Sequence, residues 1–455
     1  MQIVIIGNGS FGDKLIEFIS RENHSITVID EDADVVSAVV NKYDVLGVTG
    51  NGASVEIQKQ AGVHNADVVI SVAAGDELNL LCCMIAKQLG AKHTIARVRD
   101  PRYLNQSEFM CDHLGIDVIV NPEYEAASEA ARLIRFPAAI KLEKFARGQV
   151  EVVEIDVGHG HPFSDLPLIN FKSKYNTNAL ICAVKRGDEA IIPGGDYIIR
   201  EGDVISIAAS REDITDLFVR IGLVGKQIKN VMIIGGGNIS RYLAARLTAG
   251  RFNVKIIEKD REVCEELADL FPNATVICGD ATDPDLLDDE GIESIDACVA
   301  MTLNDQKNFI ISMFEKSRGV KKIISKISSQ TFVKLSANAG INSNITPQVL
   351  AASKALRYVR GLANRGEDGY LSQIKSLHKL VDGKVEALEF NVAEDFDAIG
   401  TPLRSIKLKK NTLIVAIIRD GEVIYPGGET TLNVGDTAIV MTTNERLCDL
   451  GDILL

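Results

Sequence analysis

Two short glycine-rich stretches hold the residue types best suited to chemistry in this chain of 455 residues. Gly7-Asn8-Gly9-Ser10-Phe11-Gly12 follows the apolar run Ile3-Val4-Ile5-Ile6, and Gly235-Gly236-Gly237-Asn238-Ile239-Ser240 follows Val231-Met232-Ile233-Ile234. A strand entering such a turn brings glycine backbone close to a pyrophosphate, whose charge then meets the free N–H groups and positive dipole of the next helix. Asp30 stands 18 residues beyond Gly12. A carboxylate there accepts hydrogen bonds from both ribose hydroxyls of an adenosine and repels a 2′-phosphate, which favours NAD(H) or ATP/ADP over NADP(H). A glycine motif alone is a weak signal, and it is the strand before it, the helix after it and the acid at this distance that point to a nucleotide.

The elements that must position these residues are short β-branched runs alternating with helix-length segments: Gln2 to Ile6, Ile26 to Ile29, Val45 to Val48, Asp67 to Val72, Thr94 to Val98 and Val118 to Val120. That alternation predicts βαβ crossovers and a doubly wound parallel sheet, an α/β fold that binds ligands at the carboxyl ends of its strands. Asp30 and Glu31 then follow the second run, and Gly50-Asn51-Gly52 follows the third as a tight turn for an adenine to lie against. Ala73-Ala74-Gly75-Asp76-Glu77 follows the fourth run and leaves room for a nucleotide, ahead of a helix expected to turn Leu78, Leu81, Cys82, Ile85 and Leu89 to one face. After the fifth run, Arg97 and Arg99 are expected to face opposite sides, with Arg97 the phosphate clamp. The first candidate site is therefore Gly7 to Gly12 with Asp30, Glu31, Gly50, Asn51, Ala73, Ala74, Glu77 and Arg97.

A net charge of -14 argues against nucleic acid or an anionic membrane surface as the main partner. No apolar stretch approaches the roughly 18 residues of a membrane span, and the chain enters a strand at once with no leader, so a soluble cytoplasmic protein is expected. The eight cysteines show no CxxC spacing, mostly sit in apolar runs, and are expected to be reduced. Trp is absent and aromatics make up 5 %, which fits cores of Val, Ile, Leu and Ala. Glu123 to Arg135 reads as a helix burying Ala126, Ala127, Ala130, Leu133 and Ile134. Beyond it, alternating segments broken by Gly187-Asp188, Pro193-Gly194-Gly195 and Gly202-Asp203 predict a small α+β lobe with antiparallel strands. His159-Gly160-His161 has no clustered ligand beside it and reads as plain surface, with no metal site.

The chain repeats itself. Gly7 and Gly235 lie 228 residues apart, as do Asp30 and Glu258, while Asp76 and Asp305, Asn79 and Asn308, and Arg97 and Lys326 are each separated by 229. The Pro-Gly-Gly turn recurs at Pro426-Gly427-Gly428. The organisation expected is a nucleotide-binding lobe over 1–122, a crossover helix over 123–137 and a small lobe over 138–225, then the same series over 229–347, 348–372 and 373–455. The second candidate site comprises Gly235, Gly237, Asn238, Ile239, Ser240, Glu258, Lys259, Gly279, Asp280, Met301, Thr302 and Lys326. Ser240 in place of the third glycine weakens the phosphate turn, and Asp280 puts a carboxylate where the first copy has the Asn51 amide, so the two sites differ.

With Gly7, Gly9, Gly12 and Asp30, their partners Gly235, Gly237 and Glu258, the Asp76-Glu77-Leu78-Asn79 stretch and both Pro-Gly-Gly turns, the whole chain resembles the TrkA family, the regulatory subunits of Trk potassium-uptake systems. The resemblance implies tandem RCK (KTN) nucleotide-binding domains, each followed by a TrkA-C lobe. It implies NAD(H) at the first site and ATP/ADP or NAD(H) at the second, a membrane potassium channel subunit as partner, and a homo-oligomeric ring, taken as a tetramer. It also places the protein at the inner face of the cell membrane. Two other functions compete. An NAD-dependent oxidoreductase needs an acid or base near the nicotinamide, and His159, His161 and His378 show no evident orienting partner; a pure assembly scaffold would leave the sites empty. A nucleotide-sensing gating subunit, not an enzyme and with no catalytic residues, is the reading these features favour.

Overall fold

The computed structural model describes residues 1–22, 24–223, 228–363, 374–444, 447 and 449–455. Strands β1 (Gln2–Ile6), β2 (Ser25–Asp30), β3 (Leu46–Thr49), β4 (Val68–Ser71), β5 (His93–Arg97) and β6 (Val118–Val120) form one sheet in the order β3-β2-β1-β4-β5-β6, parallel throughout. The central runs are Ile and Val because helices cover both faces of the sheet; Val68 to Ser71 are all buried. Strand order reverses between β1 and β4, so a crevice opens at their carboxyl ends.

Strands β7 (Lys141–Phe145), β8 (Val150–Asp156), β9 (Leu180–Arg186), β10 (Glu189–Ile191) and β11 (Val204–Ala209) make an antiparallel sheet ordered β10-β9-β11-β8-β7. The parallel architecture then recurs as β12 (Asn230–Ile234), β13 (Asn253–Glu258), β14 (Ala274–Cys278), β15 (Ala297–Ala300), β16 (Lys322–Lys326) and β17 (Asn344–Ile345), ordered β14-β13-β12-β15-β16-β17. A second antiparallel sheet, β18-β19-β22-β20-β21, follows from β18 (Ile374–Leu380), β19 (Val385–Asn391), β20 (Thr412–Arg419), β21 (Glu422–Ile424) and β22 (Thr437–Thr442). The fold is thus two Rossmann-like parallel sheets, each followed by a small α+β lobe.

Like pairs with like. One compact unit joins 1–134 to 228–359 and holds both parallel sheets; the other joins 135–227 to 360–455 and holds both antiparallel ones. In the first unit Tyr242 donates to the Arg99 carbonyl (3.0 Å) and accepts from Asn121 (3.1 Å), Lys354 pairs with Glu125 (2.7 Å), and the Tyr358 hydroxyl lies 3.3 Å from His93 Nδ1. In the second unit Phe145, Val152, Leu380, Ala387 and Val415 share one core. Hydrogen bonds there are reciprocal: Glu389 accepts from Ala146 N (3.0 Å), and Glu154 accepts from Val381 N (2.8 Å). Ala146 and Val381 both hold left-handed backbone, at φ 49° and 51°.

The helix Pro122–Arg135 buries Ala126, Ala127, Ala130, Leu133 and Ile134, as its spacing predicts. The helix Asp76–Leu89 departs from expectation. It buries Asn79, Leu80, Cys82, Cys83 and Ala86 and leaves Leu81 46 % exposed, because Asn79 takes an inward place that apolar spacing alone would not give to an amide. The second crossover helix runs over Pro347–Ala363, and the remainder of its predicted span lies outside the described residues. Among the described residues no helix is long and apolar enough to cross a membrane.

Candidate functional site

The first glycine turn separates two jobs that its glycines do. Gly7 has φ +94°, and a Cβ on Gly12 would lie 2.3 Å from the Gly7 carbonyl oxygen, so Gly12 serves the close approach of helix and strand. An added Cβ on Gly9 would meet nothing within 4 Å. Gly9 keeps open the space above the helix Ser10–Ile19, whose N-cap it is and whose first turn has no side-chain cap. The neighbouring helix Ala33–Tyr43 is capped by Asp32. The uncapped N–H groups after Gly9 are thus left for an anion.

At the adjoining strand ends, Asp30 accepts from Asn8 N (2.7 Å) and Asp32 N (3.1 Å), and Gly50 N donates to the Asp30 carbonyl (2.9 Å). The acid predicted for ribose therefore also ties β2 to the glycine turn. Asn51 accepts from Ala53 N (2.8 Å) and builds its own turn. Glu31 is exposed, and so is Glu77, whose carboxylate accepts from the Tyr103 hydroxyl (2.7 Å).

Arg97 and Arg99 do not face opposite sides. Positions two apart along an extended chain share a face, and the two guanidinium groups reach the neighbouring carbonyls of Ala73 and Ala74. Burial lowers the Arg97 pKa, with the Arg99 charge adding to the effect, and Arg97 Nε is buried without a partner. Beneath them Asp76 accepts from Arg99 N and Asp100 N (2.8 Å each), and the fully buried Asn79 bonds Ser71, the Ala73 carbonyl and the Arg97 carbonyl. These two residues hold the ends of β4 and β5 in place.

The second copy rebuilds this scaffold. Glu258 accepts from Gly236 N (2.5 Å), Lys259 N (2.8 Å) and Asp260 N (2.9 Å). Asp305 accepts from Ser328 N (2.9 Å) and Ser329 N (2.8 Å), and Asn308 bonds Thr302 and the Lys326 carbonyl. Gly235 has φ +101° and lies against Met301 and Thr302; Gly237 is the N-cap of the helix Asn238–Ala249, again with no side-chain cap, and an added Cβ there would meet nothing within 4 Å. Ser240 is fully buried with its hydroxyl unpartnered, so the turn admits the extra atoms by packing and the hydroxyl goes unsatisfied. Asp280 accepts from Thr282 N (2.9 Å), with Gly279 just ahead of it at the end of β14; Lys259 is exposed.

Both turns open onto one cavity of about 380 Å³ within the first unit. Ser10, Phe11, Arg97, Arg99 and Glu123 line it from the first copy; Gly237, Asn238, Ile239, Met301 and Lys326 line it from the second. Burial lowers the Lys326 pKa and raises that of Glu123, whose Oε2 has no partner. Desolvated cations beside uncapped helix ends fit the phosphates of a nucleotide. Asp30, Glu31, Gly50, Asn51, Ala73, Ala74 and Glu77 lie outside the cavity lining, as do Glu258, Lys259, Gly279, Asp280 and Thr302. The sequence reading left out Arg99 and Glu123; Asp76 and Asn79 were visible through their pairing with Asp305 and Asn308.

His159 and His378 have carboxylate partners that the sequence does not show. His159 Nδ1 lies 3.1 Å from Glu201, His378 Nδ1 lies 2.6 Å from Glu143, and His161 is half-buried against Phe163 with its pKa lowered by that burial. His159 and His161 pack within the first small lobe, whereas His378 of the second lobe reaches Glu143 and Phe145 of the first, a pairing that spacing along the sequence does not reveal. Among the described residues no three His, Cys, Asp or Glu are grouped to hold a metal ion. Seven cysteines are free thiols, Cys278 among them exposed, and Cys448 lies outside the described residues.

Comparison with known proteins follows the same four segments. The TrkA-N domain profile matches residues 3–122 and 231–347, and the TrkA-C domain profile matches 152–222 and 387–454. The chain is 32% identical to the Trk system potassium uptake protein TrkA homolog of Archaeoglobus fulgidus, covering 100% of both chains. It is 32% identical to the Trk system potassium uptake protein TrkA of Halomonas elongata, covering 98% of this chain and 96% of that one. Among solved structures, the GsuK channel bound to NAD is similar in fold, with a TM-score of 0.63 at 18% identity over 98% of this chain and 77% of that one. The GsuK RCK domain gives 0.62 at 18% identity, covering 98% and 92%. With its tandem domains matched in order and its relatives aligned from end to end, the chain belongs to the TrkA family of Trk system potassium uptake proteins.

Proposed function

We propose that the protein is a cytosolic, nucleotide-sensing gating subunit of a Trk-type potassium channel, and not an enzyme. The observation that carries this reading is the duplicated, uncapped glycine turn opening onto a shared cavity where Arg97 and Lys326 are desolvated. On this reading Gly7, Gly9, Asp30 and Arg97 hold NAD(H) at the first turn, with the phosphates toward the cavity and the adenine side outside it, toward Gly50 and Asn51. Gly235, Gly237, Glu258 and Lys326 hold ATP/ADP or NAD(H) at the second, with Gly279 and Asp280 in the matching place. The lobes over 1–122 and 229–347 are the sensors. Family membership and a fold shared with a channel bound to NAD support the reading.

Because both copies line one cavity, a ligand's phosphates at one turn alter the charge felt at the other. Such a ligand shifts gating only by its differential affinity for the two arrangements of the sensor lobes. Leu81 and Met84 on one helix, and Ile310 and Met313 at the matching places 229 residues on, are exposed apolar pairs suited to ring assembly between chains. Membrane association would come through the channel partner. Titration of NADH, NAD+, ATP and ADP into the full chain, the Asp30→Ala variant and the Glu258→Ala variant tests the reading. Loss of one binding event in each variant is expected, and absence of binding by all four nucleotides to the full chain refutes it.

A further inference from the structure

The second copy carries a feature the first lacks. Cys278 is the last residue of β14, an edge strand, and is exposed; Cys264 sits on the helix Arg261–Leu270, which packs against β14, and is buried. Both thiols converge on consecutive carbonyls. Cys264 Sγ donates to the Glu258 carbonyl (3.2 Å), and Cys278 Sγ reaches that of Lys259 (3.9 Å). Glu258 and Cys278 are also register partners across β13 and β14. At the corresponding first-copy places stand Val36 and Thr49, which have no thiol chemistry.

We propose that Cys264 and Cys278 form a reversible disulfide that weakens nucleotide binding at the second turn alone. The oxidant is a low-molecular-weight disulfide such as oxidised glutathione. The exposed Cys278, once deprotonated, attacks one of its sulfurs, forming a mixed disulfide and expelling one glutathione thiolate. Cys264 then attacks the Cys278 sulfur and expels the second. The protein loses two electrons and two protons, and the glutathione disulfide is reduced to two thiols.

The order of attack follows from access. Burial, with the Cys278 thiol as hydrogen-bond neighbour, pushes the Cys264 pKa up to about 12, so the surface thiol reacts first. The bond removes the Cys264 S–H donor from the Glu258 carbonyl and draws the end of β14 toward the helix. Gly279 and Asp280, the next residues, move with it.

The inference rests on the second turn being a nucleotide site, and the test separates the two. The full chain carrying Asp30→Ala, which leaves the second turn to bind, is treated with oxidised glutathione and then with dithiothreitol. A Cys264–Cys278 cross-linked peptide by mass spectrometry, an affinity for NAD+ or ADP that falls about tenfold and returns on reduction, and no response in Cys278→Thr or Cys264→Val are expected. A glutathione adduct on Cys278 with no cross-link overturns the proposal, as does a cross-link with unchanged affinity. If the reduced chain binds none of the four nucleotides, the nucleotide reading of the second turn fails. The thiol pair is then judged by the cross-link and by amide exchange over 279–282, which slows if the bond fixes that turn and overturns the proposal if it does not.

Discussion

Gly9→Ser separates the ligand's demands from the fold's. Gly9 is the N-cap of Ser10–Ile19 in extended backbone (φ −70°, ψ −172°), and a Cβ there has nothing within 4 Å to strike. Serine is at least as good an N-cap as glycine, so the ligand-free protein should keep its stability to within a few tenths of a kcal/mol or gain slightly. The new hydroxyl, however, would accept from the same first-turn N–H groups that a phosphate needs. Each charged hydrogen bond lost is worth about 1.5–3 kcal/mol, so losing one weakens NADH roughly 10- to 100-fold. Gly12→Ala is the opposite case. Its Cβ would sit 2.3 Å from the Gly7 carbonyl oxygen, a backbone atom that cannot swing away, and overpacking of this kind costs about 1–3 kcal/mol. Urea unfolding and calorimetric titration of NADH into the full chain read both effects. A Gly9→Ser protein of unchanged stability that binds NADH with wild-type affinity at the first turn would refute the placement of phosphate over Gly9.

Arg97→Met should weaken binding at the first turn about tenfold and flatten its salt dependence, because a desolvated cation contributes through charge; titrations at low and high salt check this. Glu315 is fully buried with both carboxylate oxygens unpartnered, and burial raises its pKa from 4.5 to about 7, with Cys298 beside it. Its folded form holds a proton that the unfolded chain gives up, so stability falls as pH rises from about 4.5 to about 7, by about 3 kcal/mol in all. Glu315→Gln should flatten that slope in denaturant unfolding curves measured across this range, and a slope as steep as wild type counts against it. Glu154→Ala and Glu389→Ala should each cost about 1–3 kcal/mol, since each strands a buried backbone N–H, at Val381 or Ala146, in the paired small lobes. Unfolding of the two single variants should show similar losses.

Most strands were legible because their burial writes itself into the chain as Ile and Val runs, and β1 and β6 run over Gln2–Ile6 and Val118–Val120 as the sequence predicts. The helix Asp76–Leu89 is harder to read from the sequence, for a physical reason. Its inward face is set by Asn79, which binds three partners in the core, and apolar periodicity has no way to give an amide that place. Which lobe pairs with which was also hidden. A repeat shows that the chain has two sheets of each kind, whereas the pairing depends on contacts such as Tyr242 with Arg99 and Glu389 with Ala146 that join residues more than 140 positions apart.

The inequality of the two sites goes further than the missing third glycine. Ser240 is accommodated, and the helix that contains it still begins at Gly237 with no side-chain cap, so the start of the helix is kept despite the substitution. The larger difference is charge. On the cavity wall the first copy supplies Arg97 and Arg99, whereas the second supplies Lys326 and has Ser328 where Arg99 would be. Glu31 beside the first acid becomes Lys259 beside the second, and Asn51 becomes Asp280, a carboxylate whose pKa is lowered by its bonds to Thr282. Two guanidinium groups present planar, many-donor surfaces to a phosphate, and one ammonium presents a point charge. Under the proposed function, phosphate charge is met better at the first turn, and the second, with Asp280 on the proposed adenine side and Lys326 on the proposed phosphate side, discriminates among nucleotides on different terms.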